Sequence, residues 1–297
     1  MEEVDVVIVG GGPAGLSAAL CLGRARRKVV VLDAGSPRHA VSEGVHNFLS
    51  REGIAPAALR DEAWAQMAAY PSVRRVEARV SSLRESEGGW LATDGERSWR
   101  ARAAILATGV IDEHPSMAGY RERFGHAIFL CPFCHGWEMR DRPLAVLASG
   151  EGATHLGRLL RGWTNDVVVL TNGVTLDDEA RATLERARVA VDERRVVALE
   201  GEGRALERVR FEDGDVLERR GLFVVTAQRQ VPLVEGLGLE LDAAGYVTID
   251  AQMQTSRAGL HAAGDLTSRM QQVVESAAQG LRAGALVHAK LTFEEVG

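Results

Sequence analysis

Residues 129–138 read Phe-Leu-Cys-Pro-Phe-Cys-His-Gly-Trp-Glu. They hold Cys131 and Cys134, two of the chain's three cysteines, with His135 directly after them. Three chemistries use such a pair. Two thiolates can ligate a metal, two thiols can fill a core as small hydrophobes, or the pair can close a small disulfide ring and exchange electrons. Structural zinc takes four ligands, commonly from a second CxxC or a spaced His pair. This chain has no second CxxC, and His135 is adjacent rather than spaced. In redox use, one sulfur meets the substrate and the other passes electrons on. Pro132 at a first helical position would set Cys131 at a helix N-terminus, which lowers a thiol pKa. His135 titrates near neutrality and can take or return a thiol proton, so it does not fix the direction of electron flow. Glu138 either orients His135 or is a surface acid.

The elements that must position this dithiol begin at the N-terminus. Val4 to Val9 is a nearly continuous apolar, β-branched run, as a strand buried on both faces should be. Gly10, Gly12 and Gly15 follow as G-x-G-x-x-G, then a helix with Leu16, Ala19, Leu20 and Gly23 at helical spacing, then a strand Val29–Leu32 ending in Asp33. Gly10 allows the tight turn, Gly12 lets a pyrophosphate approach the backbone, and Gly15 lets helix and strand pack. The helix N-terminus faces the anion, and Asp33, near the ~20-residue spacing, accepts from ribose hydroxyls. Cys21 reads as core filling. The basic stretch Gly23–Lys28 reads as a charged C-terminal helix turn.

Composition bounds the rest. The chain has 297 residues, 46% hydrophobic and 26% charged, with net charge −6. That is enough for two domains, and no basic patch points to nucleic acid. No apolar run reaches the ~18 residues of a membrane span, and with no basic n-region or cleavage site before the first strand a secretory signal is not expected. With three cysteines, a reducing, cytoplasmic compartment is the default expectation.

Further on, a strand Ala103–Ala107 ends in Thr108-Gly109, and near the C-terminus a strand ends in Gly264-Asp265 before a long helix. This order resembles the low-molecular-weight thioredoxin reductase group of flavoproteins. The resemblance implies an α/β fold with two Rossmann-like dinucleotide-binding domains, one discontinuous and holding FAD. The expected boundaries are 1–114 and 242–297 for the FAD domain and 115–241 for an inserted NAD(P)-type domain carrying the CxxC. It further implies FAD contacts from Gly10, Gly12, Pro13, Ala14, Gly15, Asp33, Asn47, Val80, Thr108, Gly109, Gly264, Asp265, Gln272 and Val273. Asp265 would bind the ribitol chain, and the helix after it would point its positive end at the flavin, where it stabilises negative charge. Residues 36–54 lie where that family's loop passes over the flavin; within them the sequence leaves open whether Arg38 and His39 face the cavity, and His46 reads as a second proton relay or as a loop histidine.

The inserted block has its own βαβ pattern, and the CxxC precedes its first strand. In the resembled family a CxxC placed there faces the flavin. Cys134 is then the flavin-proximal thiol and Cys131 the one that meets substrate. Two departures separate this chain from thioredoxin reductase. Thioredoxin reductases carry an acid where His135 stands, and the string CPFCHGWE resembles a subgroup that includes FAD-dependent dithiol oxidases of the gliotoxin and holomycin type. The second lies in the inserted domain. Members that use NADPH carry G-x-G-x-x-A and then an arginine-rich stretch, the arginines pairing with the 2′-phosphate. Here Ala148 replaces the first glycine, Gly150 and Ala153 are kept, Glu151 brings negative charge, and Thr171-Asn172-Gly173 supply neither arginine nor acid. The sequence therefore argues against NADPH in the usual way and gives NADH no support.

The expected function is an FAD-dependent thiol–disulfide oxidoreductase acting through Cys131, Cys134 and His135. It is favoured as a dithiol oxidase or a thioredoxin reductase-like enzyme that does not use NADPH, with an NAD(P)H-dependent thioredoxin or disulfide reductase as the alternative and a flavin-based redox sensor as a third reading. The expected partner is a small dithiol or disulfide, or a thioredoxin-like protein. A homodimer is implied by the resemblance.

Overall fold

The apolar run near the N-terminus lies in β1 (Glu2–Val9), whose alternate side chains enter different cores. Val7 and Val9 face one cluster, Val6 and Ile8 the other, as a strand covered on both faces requires. The computed structural model describes all 297 residues. β1 turns through Gly10 into α1 (Pro13–Arg24), and β2 (Val29–Asp33) pairs parallel to β1. Next come α2 (Pro56–Met67), β3 (Val73–Glu77), the β4 (Ser82–Ser86) and β5 (Gly89–Thr93) hairpin, β6 (Ser98–Leu106) and β7 (Ile111–Glu113). The chain divides into two compact units: 1–40, 47–112 and 228–297 form the first, 41–46 and 113–227 the second.

The second unit contains α3 (Tyr120–Arg123), β8 (Ile128–Phe129), α4 (Pro132–His135), β9 (Leu144–Leu147), α5 (Gly150–Leu160), β10 (Val167–Leu170), α6 (Asp178–Arg186) and β11 (Ala190–Asp192). β12 (Val196–Glu200), β13 (Arg208–Phe211) and β14 (Val216–Glu218) follow, then β15 (Gly221–Val224). Its parallel sheet runs β11-β10-β9-β15-β8, and β12, β13 and β14 form an antiparallel three-stranded sheet turning at Gly214. β9, β10 and β15 are buried along their whole length, which their unbroken apolar runs require.

β16 (Ala227–Arg229) pairs with β7. α7 (Pro232–Glu235), β17 (Leu260–Ala262) and α8 (Val273–Val296) then complete the first unit. Its sheet runs β3-β2-β1-β6-β5-β4, with β17 joining β6 in parallel. Val234, Leu237 and Leu239 are buried in the same core as Val7 and Leu106. Residues 228–241, expected in the inserted block, therefore belong to the first unit.

Helix α8 lies close against α1 through small residues. A Cβ on Gly280 would sit 2.0 Å from the Ala14 carbonyl oxygen, and one on Gly284 would sit 2.9 Å from that of Ala18. The basic stretch after α1 differs from a solvated helix turn. Arg27 is buried and donates to His288 Nδ1 (3.1 Å), Thr292 Oγ1 (2.7 Å) and Glu295 Oε1 (2.6 Å), so it anchors the far end of α8. Arg102 also reaches Glu295, and with Arg27 it holds that carboxyl near 2, well below the usual range. Cys21 on α1 is half-buried; burial pushes its thiol up, with Arg24 a smaller opposing influence.

Candidate functional site

In the first unit the β1–α1 turn opens a cleft. Gly10, Gly12, Pro13, Ala14, Asp33, Thr108, Gly109, Gly264 and Asp265 all line it. Each glycine of the motif meets a different constraint. Gly10 has φ 110°, and a Cβ there would lie 2.2 Å from the Ala107 carbonyl oxygen. A Cβ on Gly15 would lie 1.9 Å from the Gly10 carbonyl oxygen. Gly12 is unlike both: a Cβ there would meet nothing within 4 Å and would project into open space. Gly12 caps α1 without a side-chain hydrogen bond, so the first-turn N–H groups stay available to a ligand.

Asp33 at the end of β2 accepts from Arg60 of α2 at 2.6 Å and from the Gly35 N–H at 3.2 Å. A carboxylate has about four acceptor positions, so hydroxyls can still be received. Asp265 accepts from Ser276 Oγ at 2.9 Å and from Arg38 at 3.0 Å. Arg38 also forks onto Asp112 at 2.6 and 2.7 Å and donates to Gln271 Oε1 at 2.7 Å. Gln228 and Tyr246 extend the network, Gln228 donating to Asp112 at 2.8 Å and accepting from the Tyr246 hydroxyl at 2.8 Å. His39 lines the cleft with its Nε2 buried and without a partner. Burial pushes its pKa down, with Asp265 partly opposing.

Five expected residues do not line this cleft. Val80 is buried in the core with Val7 and Trp90. Asn47 sits in a loop at φ 60°, its backbone N–H donating to Glu52 at 2.8 Å. Gln272 and Val273 are the N-cap and first residue of α8, and the α8 residue that lines the cleft is Ser276, one turn in. Gly15 packs behind the turn rather than lining it. Among the other lining residues, Ser276 and Arg60 had no role in the motif reading, while Arg38 and His39, left open by the sequence, do line the cleft.

The second unit carries the dithiol. β8 leads into the single turn α4, with Cys131 as N-cap and Pro132 at its first position. Gly136 closes the turn where no larger residue fits, since a Cβ would lie 2.5 Å from the Pro132 carbonyl oxygen and 2.8 Å from the Trp163 ring. Phe129 is core and stacks on the His135 ring at 4.3 Å between centroids. Phe133 and Trp137 are 60% and 66% exposed, so they are not core packing. Ser42 Oγ lies 3.0 Å from His135 Nε2. The His46 ring stands edge-on to His135 at 6.1 Å, and Glu138 faces His46 at 3.8 Å rather than His135. Burial, with His46 adding to it and Glu43 opposing, brings His135 down to about 4, so the ring is neutral at pH 7.

The second βα turn of the chain is built differently from the first. Both Gly10 N–H and Ala148 N–H donate to the end of the neighbouring strand, at Leu32 and Leu170. Gly10 does so at φ 110°, whereas at Ala148 the backbone is not left-handed and the positive φ falls on Gly150, at 56°. Glu151 places a carboxylate in the first turn of α5, where a phosphate would need the helix's positive end. Thr171 Oγ1 and Asn172 Oδ1 are both engaged by backbone groups, at Val174 and Val196.

Two α/β units, each with a parallel strand–turn–helix entry, define a two-domain α/β oxidoreductase of the dinucleotide-binding type. The chain belongs to the pyridine nucleotide-disulphide oxidoreductase family, whose model matches residues 4–280. This is a family of flavin-dependent oxidoreductases, and the chain is thioredoxin reductase-like within it. It is 33% identical to thioredoxin reductase aclD of Aspergillus oryzae, over 98% of this chain and 97% of that protein. Among solved structures it resembles HlmI, at 36% identity and TM-score 0.94, over 99% of this chain and 94% of that one. A thioredoxin reductase TrxB of Bacillus anthracis, described as putative, is 33% identical with TM-score 0.93, over 98% of this chain and 99% of that one.

Proposed function

We propose that this protein is an FAD-dependent thiol–disulfide oxidoreductase that takes electrons from a dithiol through Cys131 and Cys134, a dithiol oxidase without an effective nicotinamide site. The observation that carries this reading is the contrast between the two βα turns. The first has the left-handed Gly10, the open Gly12 and uncapped N–H groups, and the second has Ala148, the first-turn Glu151 and no cation after β10. FAD fits the first cleft on two counts: the open space at Gly12 and the unpartnered Nε2 of His39. Gly10, Gly12, Pro13 and Ala14 would hold its pyrophosphate, Asp33 its ribose, and Asp265, held by Arg38 and Ser276, its ribitol. FAD supplies a two-electron acceptor when bound there.

The protein's own part is sulfur and proton chemistry. Cys131 receives the substrate sulfur, Cys134 leaves as thiolate, and the neutral His135 takes a proton. The exposed Phe133 and Trp137 offer apolar surface to a substrate on the same segment. A homodimer in the cytoplasm is part of the proposal; the exposed Val274 and Leu281 on one side of α8 favour association. The name of aclD favours a second reading, an NAD(P)H-dependent reductase.

Anaerobic addition of NADPH, NADH or a dithiol to the purified yellow protein separates the two. Bleaching of the flavin by dithiol alone, with hydrogen peroxide formed when air is admitted, is the expected result. Rapid bleaching by NADPH would overturn the oxidase reading.

A further inference from the structure

His135 has two ring nitrogens, and the structure distinguishes them. Nε2 lies 3.0 Å from Ser42 Oγ. The same hydroxyl lies 3.0 Å from the Gly44 carbonyl oxygen. A serine hydroxyl has one proton to donate, and a carbonyl can only accept. The Ser42 proton therefore goes to Gly44, and its oxygen is left to accept from His135. That requires the hydrogen of the neutral imidazole on Nε2 and the lone pair on Nδ1. Nδ1 is buried and has no hydrogen-bond partner. A buried, unpaired acceptor in a folded protein calls for an explanation, and catalysis is one. Phe129, stacked at an interplanar angle of 17°, restrains the ring from tilting out of this pose.

We infer that Ser42 is a positioning residue of the dithiol site: it fixes the His135 tautomer so that Nδ1 is the atom that accepts the substrate proton. This rests on the proposed dithiol chemistry and adds the atom and the residue that selects it. The step balances as follows. Nδ1 takes the proton of the first substrate thiol, and that sulfur attacks Cys131 Sγ. The Cys131–Cys134 bond breaks, and its electron pair leaves with Cys134 Sγ as thiolate. The second substrate thiol then attacks the substrate sulfur of the mixed disulfide, and its proton goes to the departing Cys131. The substrate has lost two electrons to form its disulfide, and the cysteine pair has gained them. The enzyme disulfide is the oxidant of this step. The ionisable groups acting on His135 are His46 and Glu43 from the loop, with Glu138 beside His46; Cys131 and Cys134 precede it on its own segment.

The test uses the full-length, FAD-loaded protein with Ser42→Ala and Ser42→Thr, and dithiothreitol as the dithiol probe. Two readouts are taken: nitrogen-15 NMR of His135, and the anaerobic rate of flavin bleaching against pH. The expected wild-type spectrum at neutral pH has Nε2 protonated and Nδ1 bare. Ser42→Ala should mix the tautomers and slow bleaching about tenfold, a fraction of the 10²–10⁴ carried by a general base. It should also move the acid limb of the rate profile, while Ser42→Thr restores tautomer and rate to within about twofold. A protonated Nδ1 in the wild type, or a Ser42→Ala protein with unchanged tautomer, rate and acid limb, would overturn the inference. The spectrum is read without turnover. An enzyme that dithiols fail to reduce but that shows the bare Nδ1 therefore refutes the dithiol reading and leaves the tautomer assignment standing.

Discussion

Gly12→Ala separates a glycine kept for a ligand from one kept for the fold. At position 12 the backbone angles, φ −79° and ψ −175°, are open to any residue, and the added methyl meets no protein atom within 4 Å. The apoprotein should therefore melt close to wild type, since a compatible Gly→Ala change is worth only about 0.4–1 kcal/mol. The methyl projects into the cleft in front of the first-turn N–H groups of α1. Losing one charge-assisted hydrogen bond to a phosphate there costs about 1.5–3 kcal/mol, or roughly 10- to 150-fold in Kd. Gly15→Ala should behave in the opposite way. Its methyl would overlap the Gly10 carbonyl oxygen at 1.9 Å, and neither atom belongs to a flexible side chain. Overpacking of that kind costs about 1–3 kcal/mol or more in the apoprotein itself. The assay is titration of each apoprotein with FAD by fluorescence, beside thermal melts without cofactor. A Gly12→Ala protein that binds FAD as tightly as wild type would refute the placement of the pyrophosphate. One that melts as low as Gly15→Ala would refute the claim that position 12 faces open space.

Three other perturbations test the remaining groups. The folded His135 ring refuses a proton between its ordinary value of 6.5 and about 4, while the unfolded ring accepts one, so its contribution is full above 6.5 and lost as pH falls toward 4. Replacing it by Phe should flatten the acid side of the melting-temperature profile by up to about 3 kcal/mol, and an unchanged slope would show that the ring titrates normally. Arg38→Met removes the cation between Asp112, 5% exposed, and Asp265, 21% exposed. We expect a loss of about 2–3 kcal/mol in thermal stability, partly recovered by Lys, which restores charge without the fork; an unshifted melt would show the network to be decorative. Cys134→Ser should abolish dithiol-driven bleaching of the flavin while leaving FAD content intact, and normal turnover in that variant would sink the assigned roles of the cysteine pair.

What could be read from the sequence followed from local rules. The βαβ entry was legible because its glycines, apolar strand and terminal Asp33 lie within one short stretch, each with its own steric or electrostatic reason. Thr108-Gly109 and Gly264-Asp265 were legible because they end apolar strands. The network around Arg38 was not, since its partners Asp112, Asp265, Gln271 and Gln228 come from distant parts of the chain with no shared spacing. Ser276 carried a usable signal: it stands one turn into the helix that follows Asp265. Arg27 misled because a basic run after a helix ordinarily faces water, whereas α8 folds back over it from the other end of the chain. The Ser42–His135 contact joins residues 93 positions apart and leaves no local trace.

The first unit is assembled from both ends of the chain, and that sets a schedule for its synthesis. Gly10, Gly12 and Asp33 leave the ribosome well before Gly264, Asp265 and Ser276, the other wall of the same cleft, with the whole second unit made in between. The strand β17 and helix α8 that cover β6 and α1 arrive at the same later stage. Until then, the edge of β6 and the small-residue face of α1 therefore stand exposed, while the second unit already has all its strands. Domains fold as units during synthesis, and exposed apolar surface at this stage favours aggregation. A ligand of this cleft would meet its whole lining only once α8 has closed over α1.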